Sequence, residues 1–159
     1  MNFKVKNKFI IDKVYAVKDK IYYEYRVEGT EDFKKIFWMG ELFSVQYNEN
    51  IEDVPQSILV IPLICNILPI IWVNNATIYL DEIDKKFYKS IPNIKKGYIE
   101  MLPNIEFKGK LKAKKKVKNN IKEQNADIEK TAAFFSGGVD AYSTLIRKMD
   151  EKPDLIKIW

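Results

Sequence analysis

At 159 residues the chain has room for one domain, or for one domain and a piece of another. A hydrophobic share of 47% excludes a disordered composition. With no histidine and a single cysteine, Cys65, the chain excludes Ser–His and Cys–His catalysis, nearly all zinc sites and an internal disulfide, which points to a reducing cytoplasm.

The formal net charge of +5 favours anionic partners, although Lys, Ile and Asn are abundant along the whole sequence. No secretory signal is expected at the start, because Met1-Asn2-Phe3-Lys4-Val5-Lys6 alternates rather than running apolar. No internal repeat is apparent.

The first forty residues read as β structure. Val14–Val17 and Ile21–Val27 flank the polar turn Lys18-Asp19-Lys20 and make a hairpin. Phe33–Trp38 follows a second turn at 28–32 as a third strand. Alternation in Tyr23-x-Tyr25-x-Val27 places apolar residues on one face and Glu24 and Arg26 on the other. The expectation is an antiparallel meander with one wet side. Its aromatics are expected as cross-strand core pairs, with stacking of nucleic-acid bases as the alternative.

Ile58–Val73 is the most apolar stretch. It is shorter than the roughly 18 residues that mark a membrane span, is interrupted by Pro62, Asn66 and Pro69, and has acidic flanks. A Pro-bent helix buried under the sheet is expected, with Val54-Pro55 at its start. Thr77–Leu80 reads as a short strand. Asp81, with Asp84 three residues on, reads as the cap of a helix whose apolar stripe is Ile83, Phe87, Ile91, Ile94, Tyr98 and Met101. Pro92 should kink or split that helix near Ser90.

From Ile105 to Lys118 the period is two. Ile105, Phe107, Leu111, Ala113 and Val117 fall on one side, and Lys108, Lys110, Lys112, Lys114, Lys116 and Lys118 on the other. Lysines on an edge strand block edge-to-edge aggregation, which is the expected role. A lysine row also neutralises phosphates, so tRNA is the partner it would take otherwise. Residues 119–130 are polar, lack apolar periodicity and read as a linker.

After it come Thr131-Ala132-Ala133-Phe134-Phe135, then Ser136-Gly137-Gly138, then an amphipathic run from about Asp140 to Met149. That order reads as strand, tight turn and helix start. Two glycines let a ligand approach the backbone, and the first amides of a helix carry the positive end of its dipole without internal partners. The combination suits a phosphate. Glu151-Lys152-Pro153-Asp154 turns the chain, and Leu155–Trp159 is a second strand, closing a β–α–β unit.

Phe135-Ser136-Gly137-Gly138-Val139-Asp140 resembles the Ser-Gly-Gly-x-Asp-Ser signature of the PP-loop ATP pyrophosphatases, the adenine-nucleotide α-hydrolase-like superfamily, within which cyano-deazaguanine synthase is a similar member. The resemblance covers only the last thirty or so residues. It implies ATP and Mg²⁺ as cofactors, adenylation of a carbonyl or carboxylate oxygen with release of pyrophosphate, and completion by a nitrogen or sulfur nucleophile. It implies that Ser136, Gly137, Gly138 and Val139 wrap the pyrophosphate and that Asp140 lies by the phosphates and their metal. The family's last Ser is Ala141 here, leaving Ser143 or Thr144 to supply a hydroxyl. No catalytic residue proper is implied within the chain.

The expected organisation is therefore an α+β accessory domain over 1–118 (an antiparallel sheet with packed helices), a linker over 119–130, and over 131–159 the opening β-loop-α-β unit of a Rossmann-like PP-loop domain. The family's adenine pocket and acceptor site come from later strands, so these residues are expected to be the N-terminal part of such an enzyme. An interaction or RNA-binding module with a vestigial loop is the alternative. Membrane association is not expected, and homo-oligomerisation stays open.

Overall fold

A hairpin opens the fold. In the computed structural model, which describes residues 6–37, 43–119 and 132–156, β1 (Lys8–Val17) and β2 (Lys20–Glu28) pair antiparallel about the turn at Lys18 and Asp19. An irregularity between Ile11 and Lys13 places one extra residue, Asp12, in β1. The third strand, β3 (Ser44–Gln46), adds antiparallel to β2.

The segment expected as that third strand, from Phe33, is instead helix α1 (Glu31–Ile36), with Trp38 outside the described residues. Its signals are at its ends. The Thr30 hydroxyl accepts the Phe33 amide as an N-cap, Glu31 and Asp32 occupy the first turn, and Lys34 and Lys35 the last. Those charges complement the helix dipole, and together with the cap they outweigh the β preference of Phe and Ile.

Two helices follow, α2 (Gln56–Leu59) and α3 (Ile61–Val73), with Pro55 at the N-cap of the first. By length and composition alone Gln56–Val73 could cross a membrane, but half of it is buried within the protein. Leu63, Ile64, Ile67, Leu68, Ile71 and Trp72 all lie in the hydrophobic core. β4 (Thr77–Asp84) is twice the length expected, α4 (Lys85–Met101) follows, and β5 (Lys110–Val117) ends the unit.

The sheet is mixed, with strand order β3-β2-β1-β4-β5, and β4 pairs parallel to both β1 and β5. This corrects the expected antiparallel sheet: the chain crosses by α2 and α3 to the far side of β1, and returns by α4. Helical crossovers of this kind are what parallel neighbours require. α2 and α3 pack on β1 or β4, and α4 on β4 and β5. Phe9, Ile11, Ile78 and Leu80 are buried under them, while the alternate residues Lys8, Ile10, Thr77 and Tyr79 are not.

Two helix details differ from expectation. The cap of α4 is Asp84, not Asp81, and its Oδ1 accepts the Phe87 amide at 2.8 Å. Asp81 remains in β4 because the strand continues in register with β5 to Val117. Pro92 does not split α4, which runs unbroken from Lys85 to Met101. The Ser90 hydroxyl donates to Phe87 O at 2.7 Å, taking up a carbonyl in the turn before the proline.

Asn119 ties the end of this unit back to its middle. Its side-chain amide donates to Asp84 Oδ2 and to Ser57 Oγ, each at 3.0 Å. Burial opposes the charge on Asp84, but the Phe87 amide and the Asn119 side chain outweigh it and hold the carboxyl below the ordinary range. By contacts the chain separates into units Met1–Asn119 and Asn120–Trp159. The remainder of the expected linker, 120–130, lies outside the described residues.

Candidate functional site

In the second unit β6 (Ala132–Phe134) and β7 (Asp154–Ile156) pair parallel, and α5 (Val139–Arg147) connects them through a single 3₁₀ turn at Met149–Glu151. The Phe135 amide donates to Ile156 O at 2.9 Å, carrying the pairing one residue past β6. The chain then bends at once through Ser136 and Gly137. Gly137 takes φ +82°, a region in which a side chain is strained, and the space where its Cβ would project is open.

Gly138 is the N-cap of α5 and has no side chain to cap it. Its carbonyl accepts the Tyr142 amide at 3.1 Å, closing the first helical turn. The Ser136 hydroxyl accepts the Gly138 amide at 3.4 Å. The amides of the first helical turn have no partners within the helix. Ser136, Gly137, Gly138, Val139 and Asp140 are all exposed, so the loop presents its donors to solvent.

Asp140 lies in the first turn of α5, where a carboxylate is favoured by the dipole. It could offer one carboxylate to a metal, and among the described residues no group of three His, Cys, Asp or Glu gathers to hold one. One carboxylate with phosphate oxygens and water is an ordinary magnesium environment, so the residues present fit that ion when it arrives with a nucleotide. Ser143 and Thr144 sit a full turn further along α5, half-buried and exposed respectively, and among the described residues neither hydroxyl is hydrogen-bonded to the loop. Ala141 and Leu145 are half-buried, while Val139, Tyr142 and Ile146 stand exposed.

The lysine row of β5 does not stay together. β5 is an edge strand, as the sequence suggested. Lys108 lies before it and pairs with Glu106; Lys114 pairs with Asp81 at 2.6 Å; Lys116 sits 4.0 Å over the ring of Tyr88 on α4. Lys110 and Lys112 have no carboxylate partner among the described residues, and the ammonium of Lys112 lies 5.7 Å from the ring centre of Tyr79. Sequence reasoning missed Tyr79 as their neighbour, since only the parallel register of β4 against β5 brings them together.

No family model matches the chain, and no curated protein or solved structure matches it either.

Proposed function

We propose that the Ser136–Asp140 loop holds the pyrophosphate portion of ATP, as part of an enzyme of the PP-loop pyrophosphatase type acting in the cytoplasm. The observation that carries this reading is the turn itself: a strand, a glycine at φ +82°, and a second glycine as the uncapped start of a helix. Phosphate oxygens would take the amides of Gly138 and Val139, and the Ser136 hydroxyl would turn from the Gly138 amide to donate to the anion. Asp140 would face the magnesium that travels with the phosphates. That ion would draw off negative charge as pyrophosphate leaves.

In this reading an acceptor oxygen attacks the α-phosphorus of ATP and the bond to the β-phosphate oxygen breaks. Pyrophosphate departs into the loop, leaving an acyl- or imidoyl-adenylate. A nitrogen or sulfur nucleophile then displaces AMP, giving amidation or thiolation; a nitrile forms when an amide oxygen is adenylated by a second ATP and the imidoyl-adenylate loses AMP and a proton. The role of this chain's residues is to bind and orient the leaving group; the resemblance assigns the adenine pocket and acceptor site to later strands.

Ala141 favours a second reading, an interaction or RNA-binding module with a vestigial loop, because one phosphate-facing hydroxyl is missing. Pyrophosphate release, measured with candidate acceptors on protein expressed from its natural reading frame, separates the two. Ser136→Ala should lower the activity roughly ten- to a hundredfold, the loss of one charge-assisted hydrogen bond of about 1.5–3 kcal/mol. Asp140→Asn should weaken the dependence on magnesium. Absence of both turnover and ATP binding in the unaltered protein would leave the module reading standing.

A further inference from the structure

The face of the five-stranded sheet opposite α2, α3 and α4 holds a second candidate surface, and among the described residues of the first unit no helix covers it. The parallel registers set its side chains in cross-strand rows. Lys8, Thr77 and Lys110 form one row, and Ile10, Tyr79 and Lys112 the next. Adjacent strands lie about 4.8 Å apart and alternate residues along a strand roughly 6.6 Å apart, so the rows make a continuous strip. Two adjoining depressions of about 640 and 710 Å³ follow this strip and share Tyr79 and Lys112.

Charge is distributed unevenly along it. Toward one end the cations are answered: Arg26 by Asp12, Lys114 by Asp81, Lys13 by Glu24. At the other end the depression holds Lys6, Lys110 and Lys112, and among the described residues no carboxylate lines it. None of these three has an ion-pair partner among the described residues. Lys110 also presses on Lys95, whose ammonium is disfavoured first by burial and then by that neighbouring charge. Tyr79 stands half-buried in the middle of the strip, and Tyr15 and Tyr22 stack on each other at 5.5 Å on the first two strands.

We propose that this face of the sheet binds single-stranded nucleic acid, with phosphates on Lys6, Lys110 and Lys112 and a base stacked on Tyr79. Unpaired ammonium groups beside a half-buried aromatic ring on a sheet are the elements such recognition uses, since every base offers a π-face and every linkage a charge. The competing occupants fit less well. A second copy would bring the same uncompensated lysines against these. A small ligand needs a site that encloses most of its surface, whereas these two depressions enclose it only in part.

The test is fluorescence anisotropy of the whole chain with labelled oligo(U), oligo(dT) and polyglutamate across a salt series. Both oligonucleotides should bind more tightly than polyglutamate of equal charge, and the ratio of the two tells RNA from DNA. Lys110→Gln with Lys112→Gln should flatten the log K against log salt slope by about 1.4, two phosphates at about 0.7 each. Lys86→Gln with Lys89→Gln, which removes the same charge from the exposed surface of α4, should leave the slope unchanged. Tyr79→Leu should weaken oligonucleotide binding by roughly five- to a hundredfold and leave polyglutamate unaffected, while Tyr79→Phe retains binding. Melting curves confirm that each variant is folded. No binding to either oligonucleotide, equal binding to polyglutamate, or equal losses from the α4 pair would each overturn the proposal.

Discussion

Replacing two glycines by alanine, one at a time, should produce effects of opposite sign. Gly109 stands immediately before β5, between the end of α3 and the start of β4. A Cβ built there lies 2.1 Å from Ile71 O and 2.9 Å from Ala76 O, and both are backbone atoms that no rotamer change can move. Real carbon–oxygen contacts need about 3.2 Å or more, so the chain must shift by roughly 1 Å. That shift falls on three hydrogen bonds: Lys108 and Gly109 amides to Trp72 O, at 2.8 and 3.0 Å, and the Lys110 amide to Ala76 O at 2.9 Å. Losing two of them at about 1 kcal/mol each, with a carbonyl left buried, costs about 3–4 kcal/mol. Gly97 is the control. It lies inside α4 with nothing within 4 Å of its Cβ position, so Gly97→Ala should stabilise by about 0.5–1 kcal/mol. Urea unfolding monitored by tryptophan fluorescence reads both. Similar midpoints for the two variants would mean that β5 does not enter the sheet as described.

Other consequences follow from the buried polar contacts. Asp84→Asn should destabilise by about 1–2 kcal/mol near neutral pH, the worth of an N-cap carboxylate with a second donor. Because its carboxyl is held below the ordinary range, that contribution is present above the unfolded value near 4 and is lost as pH falls through the folded one; the two proteins should converge in acid unfolding. Tyr23 donates its hydroxyl to Leu59 O at 2.9 Å and burial pushes its phenol up. Tyr23→Phe should cost about 1 kcal/mol at neutral pH, and the gap should narrow above about pH 10, where unfolding releases the proton that the fold retains. Ala141→Ser should be neutral or mildly activating in pyrophosphate release if position 141 faces phosphate.

Much of the fold was legible in local pattern. The hairpin about Lys18-Asp19, the apolar helices after Pro55, and the strand–turn–helix around Gly137-Gly138 follow from periodicity and from residues with special backbone freedom. What escaped was settled by ends and by register. Phe33 to Ile36 has β texture, but the Thr30 cap and the sign order of its charges decide for a helix. Asp81 and Asp84 are equally good caps in sequence; pairing of Asp84 with Val117 in the sheet, and Asn119 reaching back to Asp84, choose between them. The parallel pairings of β4 depend on crossovers, which alternation within one strand does not encode. At the Ser136–Asp140 loop the residue types were readable directly. On the sheet face, Tyr79 and Lys112 are remote in sequence and become neighbours only through β4–β5 register.

The most direct test of the phosphate loop is an amide ¹H–¹⁵N titration of the chain with magnesium pyrophosphate and then with Mg-ATP. The phosphate-loop reading predicts that the Gly137, Gly138 and Val139 amides shift first and saturate together at millimolar ligand, and that Ser136→Ala weakens the response without altering the rest of the spectrum. Unmoved loop amides throughout the titration, with shifts confined to the lysines of β5, would contradict it.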